Sequence, residues 1–154
     1  MTDSELKVGL ALHGSLYVAA FAILLYTRRA SPLLRMESLL ETVRLVKERR
    51  HGVGFAVSTS GLFDTGLPAA LKAGGVKGVV VALNARNTPP YDKLMQPTNG
   101  KGFGDGCSFV IGAAEAGMDV TCTAVEAPGV DIAAVRALAS SLGAATFKSR
   151  SFHP

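Results

Sequence analysis

A chain of 154 residues that is 48% hydrophobic and 18% charged is long enough for one domain with a real core, and its charged share falls below the usual value of about 25%. With only two cysteines, Cys107 and Cys122, set in apolar surroundings, paired CxxC zinc ligands are excluded and buried free thiols in a reducing compartment are the expectation. The net charge of +4 lies in residues 28–50, where Arg28, Arg29, Arg35, Arg44, Lys47, Arg49 and Arg50 face Glu37, Glu41 and Glu48; no aromatic accompanies them, which argues against nucleic acid as the partner.

Residues 1–7 read as a short tail carrying Asp3, Glu5 and Lys7, which does not suit a cleaved signal peptide. Val8–Thr27 then carries no formal charge and is followed at once by Arg28-Arg29. A helix needs roughly 20 mostly apolar residues to cross about 30 Å of hydrocarbon, so 8–27 is read as a single transmembrane helix. Tyr26 stands where an amphipathic ring prefers the interface, and the arginines place the C-terminal portion on the cytoplasmic or matrix side. Arg28, Arg29 and Arg35 would meet anionic lipid. The alternative is soluble: Leu6–Leu12 a buried strand, His13-Gly14-Ser15 a turn, and Leu16–Arg29 a core helix.

Ser31-Pro32 starts a helix, with serine as cap and proline in the first turn. Leu33, Met36, Leu39, Leu40, Val43 and Val46 recur at helical spacing, predicting a basic amphipathic helix over Pro32–Arg50 within segment 28–51. An α/β domain is expected over 52–150, with a tail at 151–154. Its strands are read at Val53–Thr59, Val76–Leu83, Asp119–Val125 and Ala144–Lys148. Its helices are read at Pro68–Ala73, Cys107–Ala116 and Ile132–Leu142, the last capped by Asp131. Asn84–Gly106, with Pro89-Pro90, Pro97 and a glycine cluster, reads as one long irregular stretch. Apolar strands alternating with helices predict a three-layer α/β domain: a mostly parallel four-stranded sheet covered on both faces.

Ligands of such sheets bind beyond the carboxyl ends of the strands. The loops gathered there offer Ser58, Ser60, Asp64, Asn84, Arg86, Lys101, Asp105 and Glu126. Asn99–Gly106 (NGKGFGDG) precedes a predicted helix, so Gly102, Gly104 and the Lys101 cation could cradle a phosphate. The spacing fits neither the dinucleotide fingerprint nor GxxxxGK[ST]. Phe63-Asp64-Thr65-Gly66 contains the DTG triplet of aspartic proteases, but a single copy followed by a helix does not suit that chemistry. His13, His51 and His153 are not placed beside Ser58, Ser60 or Cys107, so no nucleophile is activated and no catalytic residue, metal or cofactor is assigned.

Two function classes remain. One is a non-catalytic accessory subunit of a larger membrane complex, with an organellar setting such as the mitochondrial inner membrane. The other is a small soluble α/β enzyme or binding protein holding an anionic, phosphate-bearing ligand on Ser60, Asp64, Asn84, Lys101, Gly102, Gly104, Asp105 and Glu126.

Overall fold

The computed structural model describes residues 32–64, 66–97 and 100–151. The expected span at 8–27, its flanking arginines and the Ser31 cap lie outside them. No helix among the described residues is long and apolar enough to cross a membrane.

Helix α1 covers Pro32–Arg49. Its stripe behaves as the spacing predicts: Leu39 and Val43 are buried, and Met36, Leu40 and Val46 pack half-buried against the core. The opposite side is wet, and there Arg44 donates through Nε to Glu41 at 2.8 Å. Four strands follow, β1 (Ala56–Thr59), β2 (Gly78–Ala82), β3 (Asp119–Glu126) and β4 (Thr146–Ser151). They pair side by side in sequence order, and every pairing is parallel. Between β1 and β2 runs α2 (Leu67–Ala73); between β2 and β3 run α3 (Thr88–Met95) and α4 (Phe103–Glu115); between β3 and β4 runs α5 (Ile132–Ser141). Asp131 caps α5 as its position predicts, accepting the amide of Ala134 at 3.0 Å.

Register and burial together assign the two faces of the sheet. Val57, Val79, Val81, Val120, Cys122 and Ala124 share one side by alternation, and all are buried. They form one core with Leu39 and Val43 of α1, Leu71 of α2, Phe109, Val110 and Ala113 of α4, and Val135 and Ala139 of α5. Each fully buried valine, leucine or phenylalanine contributes roughly 1.5–3 kcal/mol relative to exposure. The other parity reads Ala56, Ser58, Val80, Ala82, Thr121, Thr123 and Val125, and none of these belongs to the core or packs against it. The expected α/β domain with a mostly parallel four-stranded sheet is present, and among the described residues its helices form one layer, on one face. Consecutive parallel strands added always in one direction, through right-handed crossovers, bring each helix back over the same side.

The stretch Asn84–Gly106 is corrected, because it is not structureless. Pro89 and Pro90 sit in the first turn of α3, where a missing N–H breaks no helical bond, after an extended Asn87. Helix α4 starts at Phe103, four residues before Cys107, because Asp105 in its first turn accepts the Gly102 amide at 2.8 Å and caps the glycine-rich start.

Asn84 is the buried polar residue on which the end of β2 turns. Its backbone is left-handed (φ 55°), its Oδ1 accepts the Val125 amide at 3.1 Å, and its Nδ2 donates to Met95 Sδ at 2.9 Å. Asn84→Ala leaves a buried N–H unpaired and places a Cβ-bearing residue without asparagine's local bonding at positive φ. We expect a loss of about 3 kcal/mol in urea unfolding, with Asn84→Gly losing less because it retains the backbone conformation. Equal losses for the two would contradict the strained-turn account.

Candidate functional site

The carboxyl ends of β1, β2 and β3 bring their loops to one edge. After β1 the chain turns at once, the Gly61 amide donating to Thr59 Oγ1 at 3.0 Å. Gly61 has φ 73°, and a Cβ there would lie 3.3 Å from both Phe109 Cβ and Val81 Cγ1 and 3.4 Å from Gly106 Cα. The β1 loop is thus pressed against the first turns of α4, and only glycine satisfies both the conformation and the approach. Tyr91 of α3 packs edge-to-face on Phe103 with centroids 5.5 Å apart. Its side chain is buried, its phenol is pushed up chiefly by that burial, and its hydroxyl finds no hydrogen-bond partner among the described residues.

Three of the side chains expected from sequence converge here. Lys101 Nζ donates to Asp64 Oδ1 at 3.0 Å and lies 3.5 Å from Asp105 Oδ1. The hydrogen bond to Asp64 is the main cause holding the Lys101 ammonium above its usual range. The Gly102 amide, above all, holds the Asp105 carboxyl below its usual range, opposed by desolvation and helped by Lys101. Ser60 stays close through its backbone: a Cβ on Gly106 would be 3.6 Å from the Ser60 carbonyl. Gly104 is exposed with open space around it.

The remaining expected residues do not join the cluster. Asn84 spends both ends of its amide on Val125 and Met95. Glu126 accepts from Ser149 Oγ at 2.7 Å, tying β3 to β4. Arg86 and Ser58 are exposed, Ser58 on the uncovered face. One cation against two carboxylates leaves Lys101, Asp64 and Asp105 with no surplus positive charge, and the α4 N-terminus already holds a carboxylate. Asp64 is itself 94% exposed, so its pairing with Lys101 is largely screened.

The cysteines are equally withdrawn. Burial pushes the Cys122 thiol up to about 11, and the half-buried Cys107 thiol is raised for the same reason. Neither is poised as a thiolate. Among the described residues no group of three His, Cys, Asp or Glu side chains could hold a metal ion.

The polar groups that sequence reading missed lie on the uncovered face. Register sets Thr121 beside Thr146, Thr123 beside Lys148 and Val125 beside Arg150, with Val80, Ala82 and Ser58 toward β1. Phe147, of the opposite parity, packs on the core side and carries the Arg136 guanidinium of α5 4.8 Å above its ring, which fixes the orientation of β4. The signal was present as the alternations Thr121-Cys-Thr-Ala-Val and Lys148-Ser-Arg150.

No protein-family model matches the chain, and no curated protein matches it. Solved structures do. The radical S-adenosylmethionine methyltransferase TsrM from Kitasatospora setae, with tryptophan substrate and an adenosylmethionine analogue (aza-SAM) bound, aligns at TM-score 0.54 and 21% identity over 76% of this chain and 24% of that one. TsrM with cobalamin and a 4Fe–4S cluster bound aligns at 0.53 and 20% over 77% of this chain and 23% of that one. This chain thus spans about a quarter of the length of the solved chains it resembles, and the likeness is one of fold.

Because the Asp105 carboxyl is held low in the folded state, its contribution is complete above the unfolded carboxylate range and is lost as pH falls through its lowered folded value. We expect Asp105→Ala to be less stable than wild type at neutral pH, with the gap closing on acidification in urea titrations. A gap independent of pH would contradict the capping role.

Proposed function

We propose that the chain is a β/α ligand-binding module of an adenosylmethionine-using enzyme, its ligand lying against the uncovered sheet face and the carboxyl ends of β1–β4. The observation that carries this reading is the one-sided helix layer, which leaves a face of hydroxyl-bearing, cationic and small apolar side chains with no core to join among the described residues. A parallel sheet normally has both faces buried, so an uncovered face is the surface on which a further layer or a ligand would lie. The fold likeness to adenosylmethionine-binding methyltransferases supports the ligand class. Ser58, Thr121 and Thr123 supply hydroxyls suited to ribose, and Val80, Ala82 and Val125 supply apolar surface for a base.

The 4Fe–4S cluster named for the neighbour does not fit this chain. It has two cysteines, and Cys122 is sealed beneath the helices with its thiol raised. We therefore assign this chain the organic ligand alone.

Isothermal titration with S-adenosylmethionine and its aza analogue tests the reading. Saturable binding is expected, weakened about fivefold by Thr123→Val, the worth of one hydrogen bond of about 1 kcal/mol. No binding up to millimolar ligand would refute it.

A second reading rests on Val8–Thr27 and the arginines after it: an accessory subunit anchored in a membrane complex, its basic flank on anionic lipid. Under that reading the full-length chain stays in the membrane pellet through an alkaline carbonate wash and runs as a large assembly in mild detergent. Release into the supernatant as a monomer would eliminate it.

A further inference from the structure

We propose that Lys148 and Arg150 form an oxyanion site on the uncovered sheet face, built to hold a phosphate-bearing small molecule. The inference rests on that face being a binding surface, as above, but not on adenosylmethionine being its ligand.

Both side chains are exposed, and both stand on the uncovered parity of β4, beside Thr123 and Val125 of β3. Two residues apart on one strand, their Cα atoms are about 6.6 Å apart, so two cations project from the same side. Neither makes an ion pair among the described residues; the paired cations there are Arg44 and Lys101. Asp119, the acid of the same parity on β3, stands at the far amino end of that strand, four residues from Thr123, about 13 Å away. Among the described residues, then, no carboxylate pairs with either cation: Glu126 bonds Ser149, on the opposite parity of β4, in contrast to the Lys101 cluster, where two carboxylates hold the cation.

The chemistry of the pair favours phosphate. A guanidinium offers a planar fork to two phosphate oxygens, and an ammonium beside it neutralises the second charge. The neighbouring Thr123 hydroxyl lies 3.5 Å from the Val81 carbonyl, a long bond that it can exchange for a ligand oxygen. Strands spaced about 4.8 Å apart make the whole face only about 15 Å wide, a width that suits a small molecule.

The probe is inorganic pyrophosphate, titrated calorimetrically into the full-length protein at low salt. Saturable binding is expected, weakened about tenfold by Lys148→Gln and by Arg150→Gln, and weakened further by added salt. Lys93→Gln, an equal charge change on α3, should leave binding within twofold; circular dichroism checks that each variant is folded. Absence of pyrophosphate binding to wild type up to about 10 mM would overturn the site. So would a Lys148→Gln/Arg150→Gln double variant that binds as well as Lys93→Gln does. If the two cations serve only to keep the β4 edge from pairing, the double variant self-associates while binding is unchanged, which also overturns it. Pyrophosphate binding without adenosylmethionine binding would refute the ligand class proposed above and leave this site standing. Adenosylmethionine binding without pyrophosphate binding would do the reverse.

Discussion

Parallel pairing of four strands in their order along the chain is the constraint from which the rest follows. A parallel strand cannot be reached by a hairpin, so each step needs a crossover, and crossovers of one hand taken in one direction all return over the same face. Valines at alternate positions of β1, β2 and β3 then meet helices on one side only. The long amphipathic helix α1 joins that same layer through Leu39 and Val43. What remains is a sheet with one dry face and one face that the described helices leave bare. The bare side is the more mixed of the two: Ser58, Thr121 and Thr123 sacrifice little when wet, and Val80 and Val125 stand among them half-buried.

The carboxyl edge shows a different use of polar chemistry. Its loops are held by their own side chains: Asp105 caps α4, Lys101 ties Asp64 to that cap, Asn84 clamps the ends of β2, β3 and α3, and Glu126 bonds β4. Gly61 lets the β1 loop approach α4 closely enough to bring these groups into range. Most of the polar groups at that edge are engaged with one another, the buried Tyr91 hydroxyl excepted. On β4, by contrast, Lys148 and Arg150 are exposed, make no ion pair among the described residues and have Thr123 and Val125 beside them.

Much of the fold was legible in the sequence, for definite reasons. Pro32 and the apolar stripe after it marked α1, the valines of Val79–Val81 marked the central strand, and Asp131 marked the start of α5; each is a local signal with one physical reading. The prolines of α3 misled because proline is forbidden inside a helix but welcome in its first turn, and the two cases differ only in where the helix begins. The glycines before Cys107 hid a helical start that Asp105 supports. One-sided coverage could not be read locally, since it depends on strand order rather than on any strand's composition. Loop position placed Lys101, Asp64 and Asp105 among eight candidates at one sheet edge, but spacing does not reveal that these three pair with one another. Asn84 was legible as a polar group at the carboxyl edge but not as a buried clamp, because its partners Met95 and Val125 are distant in sequence.

The one-sided sheet is the claim on which the functional account stands, and hydroxyl-radical footprinting of the full-length protein tests it most directly. Side chains of alternating parity on the same strands serve as internal controls for one another. The account predicts modification of Val80, Val125 and Lys148, with Val79, Val81 and Val120 protected. Equal protection of both parities would mean that another layer covers the second face, and the site placed there would have to be abandoned.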